Sequence, residues 1–254
     1  RWNHENAEQE VVQFDIQRTD ELINGFDDPV YGKNAGLKKL IGEKTVDIII
    51  GGPPCQAYSL AGRIRDPYGM RDDYRNYLFE SYVKILEFYQ PNFFVFENVT
   101  GLLSAQVNGK PILPSIMTAL SNEYKVIDDS SILVHNTADY GVPQIRKRVI
   151  IMGVRKDIVH KEAIDLYRDV VKTHWNPDTN EIDRKGLDKF VTVKEAIGDL
   201  PPVEPGEDAS THAFDYPCNN AFLQRIGKAG VCPLMDHIAR KHNALDRERF
   251  SVMI

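Results

Sequence analysis

Apolar and polar positions recur along this chain with two different periods. A β-branched apolar run, "TVDIII" (Thr45 to Ile50), is cut off by Gly51-Gly52-Pro53-Pro54, which predicts a buried strand of parallel type stopping at its carboxyl end. "NYLFESYVKILEFYQ" then repeats apolar residues at Leu78, Tyr82, Ile85, Leu86 and Tyr89, the period of a helix, and Pro91 closes it. "NFFVFE", Asn92 to Glu97, predicts a second buried strand running into "ENVTG". Strand, helix and strand in this order make a βαβ unit, whose crossover is almost always right-handed. Ligands in open sheets of this kind sit beyond the carboxyl ends of the strands. Cys55 and Glu97, distant in sequence, are therefore expected at one rim.

Further on, "YKVIDDSSILVH" and "RVIIMGVR" are strand-like and flank the loop "NTADYGVPQIRK". After about Asp157 the character changes. "DIVHKEAIDLYRDVVKTHWNP" reads as helical, "DTNEIDRKG" as a polar loop, and "TVKEAIGDLPPVEPGEDAS" ends in Pro- and acid-rich linker. The closing "DHIARKHNALDRERFSVMI" is basic and reads as a helix. A soft boundary falls between residues 160 and 205, with no internal repeat and no low-complexity tract.

Composition narrows the picture. The 254 residues, 42% hydrophobic, suffice for one sizeable core with a small appended domain. No apolar run approaches the roughly 20 residues of a membrane span, so no membrane partner is expected. Cys55, Cys218 and Cys232 are odd in number and widely spaced, which fits neither a disulfide framework nor a metal knuckle. A reducing cytosol and no metal are the expectation. The net charge of −6 argues mildly against a general nucleic-acid binder, yet leaves room for a local basic groove.

Four stretches could carry chemistry. Cys55 stands just past the apolar run on a rigid Pro-Pro turn, followed by Arg63, Arg65, Arg71 and Arg75. An electropositive surrounding lowers a thiol pKa and makes a nucleophile; the alternative is a buried structural cysteine. Glu97 ends an otherwise apolar strand, where burial would favour the protonated form and suit a proton donor, with Asn98 to orient it; the alternative is a capping turn. Gln144, Arg146 and Arg148 alternate in "QIRKR", so on a strand they share one face. That face is either a bidentate polar surface or a solvated edge. The Arg63 to Arg75 loop could meet phosphates or be ordinary surface.

Together "GGPPCQAYS", "FVFENVTGLLS" and "QIRKR" resemble, in order, the Pro-Cys-Gln, Glu-Asn-Val and Gln-x-Arg-x-Arg motifs of the DNA (cytosine-5) methyltransferase family, which points to a bacterial source. The resemblance covers residues 1 to 157, and more weakly "TVKEAIGDLPP" and "HIARKH". It implies an α/β fold: a doubly wound, Rossmann-like S-adenosylmethionine-dependent methyltransferase sheet, mostly parallel with a terminal antiparallel strand, plus part of a target-recognition domain. The implied division is a catalytic domain over 1–160, a connecting segment over 161–205, and the start of the recognition domain over 206–254. Cys55 would be the thiolate adding to cytosine C6. Glu97 would act at N3 and Arg148 at O2, with Arg146 bracing the site and Asn98 fixing Glu97 and the loop. "FDIQRTDE" resembles the adenine-binding step of the cofactor site at Asp15 and Ile16; Trp2 would stack on the adenine with Leu78 opposite it, and Pro54 completes the implied cofactor set. Gln56, Ser59 and Arg63 would contact DNA. The expected cofactor is S-adenosylmethionine, leaving S-adenosylhomocysteine. Double-stranded DNA is the expected partner, with a cognate restriction endonuclease, in the bacterial cytoplasm at the nucleoid.

The sequence also departs from the family pattern. The Gly-rich cofactor loop normally precedes "RWNHENAEQE", Arg1 stands where the family carries an acid for the ribose, and the late segments completing the cofactor pocket do not appear. The expectation is a truncated polypeptide binding the cofactor poorly. Rival readings are the tRNA-methylating branch, whose Cys-Phe-Thr signature is not visible, and a non-catalytic nucleic-acid-binding relative. A cysteine hydrolase would require a histidine base, for which only His135 lies near a strand end.

Overall fold

The computed structural model describes residues 11–54, 78–107, 109–179 and 186–252. They divide into two units: residues through Asn136 with Lys147–Val171, and Thr137–Arg146 with the residues from Lys172 onward.

The first unit begins with α1 (Thr19–Asn24), the hairpin β1 (Phe26–Asp28) and β2 (Gly32–Asn34), and α2 (Leu37–Ile41). Arg18 locks this corner. Its guanidinium pairs with Glu21 and, at 2.6 Å, with Asp28, and lies 4.6 Å from the centre of the Phe14 ring, a cation–π arrangement. Phe14 in turn stacks on Phe26 at 3.9 Å.

Next come β3 (Ile48–Gly51), α3 (Leu78–Tyr89) and β4 (Phe93–Val99), the predicted βαβ unit. β3 and β4 pair in parallel from Ile48 opposite Phe93 to Gly51 opposite Phe96. Side chains of β4 alternate in burial. Phe94, Phe96 and Asn98 face the core, and Glu97 lies on the other face with Phe93 and Val95, as the two-residue period requires. β3 differs from expectation: only Ile49 packs on the core, whereas Ile48 and Ile50 are exposed. Among the described residues no strand pairs with its second edge.

The chain continues through β5 (Gln106–Val107), β6 (Lys110–Pro111), α4 (Leu113–Ser121), β7 (Tyr124–Lys125), α5 (Ser130–Leu133), β8 (Val134–Asn136), β9 (Lys147–Arg155) and α6 (Ala163–Arg168). The stretch Tyr124 to His135, expected as one strand, is thus two short strands around a helical turn. Asp129 causes the break, because its side chain accepts from Ser131 N–H and caps α5. The central sheet runs β3-β4-β9-β7, with β8 also on β9. β9 is antiparallel to β4, β7 and β8. Phe94, Phe96, Leu86, Leu102, Ile116, Leu120, Leu133, Val149 and Ile151 fill its core.

β7 and β8 cover opposite ends of one edge of β9, leaving Ile150 to Gly153 between them. Tyr167 of α6 closes that gap. Its hydroxyl accepts from Met152 N–H at 2.8 Å and lies 3.1 Å from Ile150 O, to which it donates. Burial pushes the phenol up to about 12. The helix expected over residues 157–177 is confined to α6, started by a reciprocal cap between Glu162 and Asp165.

The second unit contains β10 (His174–Trp175) parallel to β11 (Asp188–Lys189), α7 (Val193–Ile197), β12 (Thr211–Tyr216), α8 (Ala221–Arg225), β13 (Gly230–Leu234) and α9 (Ala244–Ser251). β12 and β13 form an antiparallel ribbon over a small core of Tyr216, Leu223 and Leu234. Buried His174 lies 2.8 Å from Thr173 Oγ1 and 3.2 Å from Arg225 Nη1, and Arg225 also donates to Asp188 at 2.7 Å. An arginine only donates, so His174 Nε2 accepts and its proton sits on Nδ1.

Candidate active site at the carboxyl ends of β3 and β4

The parallel pairing of β3 and β4 brings the Gly51-Gly52-Pro53-Pro54 turn beside Glu97 and Asn98. Gly51, opposite Phe96, faces the core, where a Cβ would stand 2.4 Å from the Tyr82 ring. Tyr82 crosses beneath the turn, with its hydroxyl 3.0 Å from Val95 O and 3.2 Å from Ile49 O. It donates between the two parallel strands, and burial raises its phenol well above the ordinary value. Gly52 faces the other side, where a Cβ would lie 2.9 Å from Glu97 Oε2.

Asn98 turns into the core and is 4% exposed. A buried amide requires partners, and it finds two: Nδ2 donates to Pro53 O at 3.3 Å, and Oδ1 accepts from Val99 N–H at 2.9 Å. The turn is thereby tied to the end of β4 at the second residue before Cys55.

Glu97 and Arg148 meet as a diagonal cross-strand pair, because Arg148 stands opposite Val99 on β9. Glu97 Oε1 is 2.9 Å from Arg148 Nε, and Arg148 Nη1 donates to Lys147 O at 2.8 Å. The Glu97 side chain is 39% exposed and that of Arg148 20%, so the carboxyl is not sealed in the core as its sequence context implied. It is a half-exposed carboxylate facing a guanidinium. At one sheet rim the molecule thus presents an acceptor and a donor fork on neighbouring strands.

Gln144 and Arg146 do not continue the face of Arg148, because β9 begins only at Lys147. They lie in the Thr137–Arg146 loop, where Arg146 O accepts from Thr137 N–H at 3.0 Å. Asp15 and Ile16 precede α1: Gln17 N–H donates to Asp15 Oδ1 at 3.0 Å, and Thr19 Oγ1 donates to Ile16 O at 2.7 Å. Leu78 is buried at the start of α3, which packs against α1, and Pro54 is exposed. His135 stands opposite Arg148 on β8 and stacks on Tyr167 at 6.0 Å. Trp2, Cys55, Gln56, Ser59 and Arg63 lie outside the described residues. Tyr82, which the sequence marked only as a helix-face position, is the site neighbour that sequence reasoning missed. The signal was present: two adjacent glycines at a strand end, with an aromatic on the next helix.

Among the described residues no group of three or more His, Cys, Asp or Glu side chains could hold a metal ion, and no helix is long and apolar enough to cross a membrane.

Comparison with known proteins gives the family of the chain. The family described as C-5 cytosine-specific DNA methylase matches residues 8–240. The type II methyltransferase M.DdeI of Desulfomicrobium norvegicum is 33% identical over 210 residues, covering 82% of this chain and 45% of its own length. M.Bpa9945I of Bacillus paralicheniformis is 37% identical over 225 residues, covering 83% of this chain and 46% of its own. The chain therefore spans just under half the length of these two curated relatives. A solved structure of a prophage-encoded E. coli protein, described as a DNA modification methyltransferase, superposes with a TM-score of 0.53 at 22% identity, over 94% of this chain and 61% of that one. At that identity the likeness is one of fold, the Rossmann-like α/β methyltransferase sheet.

Proposed function

The chain belongs to the C-5 cytosine-specific DNA methylase family, and on that premise we propose that the protein carrying it methylates C5 of a flipped-out cytosine in duplex DNA as a restriction-modification methylase. The observation that supports this best is the Glu97–Arg148 pair at 2.9 Å, beside a turn that leads directly to Cys55. Cytosine N3 and O2 are adjacent on one ring edge. Both ring atoms are acceptors, so the Arg148 guanidinium donates to O2 and Glu97 takes up a proton to donate to N3, and an arriving base exchanges their mutual contact for one to each.

In this reading the Cys55 thiolate forms a bond to C6, and the displaced π electrons make C5 nucleophilic. Glu97 stabilises the ring through N3, and Arg148 holds O2, where negative charge gathers. Asn98 keeps the turn at its distance from Glu97, and Arg146 braces the site. After C5 is alkylated, loss of its proton re-forms the C5–C6 double bond and expels Cys55. The base must leave the duplex to reach this site, at a cost of a few kcal/mol, with Gln56, Ser59 and Arg63 as DNA contacts.

S-adenosylmethionine, when bound, supplies the electrophilic methyl group. Asp15 suits its adenine: a carboxylate held by Gln17 N–H at a turn into a helix is a fixed acceptor for an exocyclic amine. Ile16, buried Leu78, Pro54 and Trp2 complete the set that would hold it. Residues 1–160 are the catalytic domain in this account, 161–205 the connection and 206–254 the start of target recognition. A cognate endonuclease is its expected partner.

The test is methyl incorporation by the full-length protein into unmodified phage duplex DNA and, separately, into bulk tRNA. Label in DNA supports the assignment, and label in tRNA alone overturns it in favour of the tRNA branch.

A further inference from the structure

We infer that Gly52 is a positioning residue: its missing side chain is the space in which the Glu97 carboxylate stands. The inference rests on the proposed methyltransferase reading for its effect on rate, but its geometry is independent of it. The two glycines of the turn differ in what they leave room for. A Cβ on Gly51 would meet two Tyr82 ring atoms at 2.4 and 2.6 Å, and that ring is buried against Phe94 and Phe96, so nothing there can give way. A Cβ on Gly52 would meet Glu97 Oε2 at 2.9 Å, with its next neighbours, Glu97 O and Cβ, in ordinary contact at 3.6 and 3.8 Å.

Gly52 is also not among the residues of positive φ, so its backbone makes no demand for glycine. The requirement is space alone, and among the described residues the one atom closer than ordinary contact is the end of a movable side chain. An alanine at 52 is therefore accommodated by the fold while pushing one carboxylate oxygen aside. Because Oε1 of the same carboxylate faces Arg148, the displacement alters the pair as well. The turn that precedes Cys55 in the chain thus sets where its proposed partner acid stands.

Gly52→Ala in the full-length protein tests this. Displacements approaching an ångström at reacting groups cost up to about 100-fold in rate. The expected result is a roughly 10- to 100-fold fall in kcat, with KM for unmodified phage DNA and the thermal midpoint unchanged. The kinetic control is a double-mutant cycle read as single-turnover adduct formation on 5-fluorocytosine DNA: in a Glu97→Ala background, adding Gly52→Ala changes the residual rate less than about twofold. A wild-type rate for Gly52→Ala, an equal loss in the Glu97→Ala background, or a midpoint lowered as far as by Gly51→Ala would each overturn the inference. A crystal structure of Gly52→Ala decides the geometry without activity: Oε2 displaced supports it, and Oε2 in its original place refutes it. If the wild-type protein neither methylates nor traps DNA, the methyltransferase reading fails instead, and that crystal structure still judges the role of Gly52.

Discussion

Tyr167→Phe removes one oxygen atom from the open edge of β9 and nothing else. In the native protein that oxygen accepts from Met152 N–H at 2.8 Å and donates to Ile150 O at 3.1 Å. Both strands that could have taken over, β7 and β8, end short of this stretch, and Tyr167 and Met152 are buried at 8% and 9% exposure. A buried donor left without an acceptor costs about 1–3 kcal/mol, and a carbonyl that loses one of its donors costs less. The expected loss is therefore about 2–4 kcal/mol, a sizeable part of the 5–15 kcal/mol typical of a domain. With a urea slope of about 1–3 kcal/mol/M, the midpoint of the first unit falls by roughly 1–2 M at unchanged slope. Hydrogen exchange supplies the local readout: the Met152 amide speeds up by a larger factor than amides in α4. Tyr31→Phe on the exposed β1–β2 turn serves as a control and changes the stability by less than about 0.5 kcal/mol. A Tyr167→Phe shift no larger than that control, with Met152 exchange unaltered, would show that the hydroxyl does not close the edge.

Gly51→Ala forces a methyl group into the Tyr82 ring and should cost about 1–3 kcal/mol by overpacking, measured as a lowered urea midpoint. Asn98→Ala releases Pro53 O and strips the acceptor from Val99 N–H; about 1–2 kcal/mol of stability should be lost, with a kcat decrease in the fraction that remains folded. The buried tyrosines make the fold alkali-sensitive. Burial pushes Tyr124 and Tyr167 up to about 12 and raises Tyr82 further. Below pH 10 these phenols are neutral in both states and the full stability is present. Above pH 10 the unfolded chain ionises first, so stability falls by about 1.4 kcal/mol per pH unit for each such tyrosine until the folded values are passed. Phenolate absorbance should rise for these three residues only together with unfolding; phenolate formation by all 11 tyrosines in a still-folded protein would contradict the burial argument.

The βαβ core was legible because its two periods differ and its boundaries carry Gly and Pro. The residue types of the site were legible too, since Glu97 and Arg148 are charged positions at the ends of apolar runs. Their geometry was not. That Glu97 is half-exposed and paired follows from the antiparallel register of β9, and a one-residue change in register would have sent Arg148 to the other face. The sharing of one polar face by Gln144, Arg146 and Arg148 failed because the strand starts later than the alternation does. In the second unit, β12 and β13 escaped notice for a plain reason: "THAFDY" is exposed along most of its length, so it shows no alternation, and "GVCPL" carries a proline at an interior position of the strand. The helix expected through Val170 and Val171 stops at Arg168. β-Branched residues follow, and Thr173 N–H is taken by Asp139 O at 2.9 Å.

In the proposed reaction Cys55 adds to a cytosine ring held by Glu97 and Arg148. Incubating the full-length protein with S-adenosylmethionine and duplex DNA carrying 5-fluorocytosine tests it most directly, since fluorine cannot leave C5 as a proton does. The expected product is a denaturation-resistant protein–DNA adduct that peptide mass spectrometry maps to Cys55 and that Cys55→Ser abolishes. An active enzyme that forms no adduct, or one joined through another residue, would contradict it.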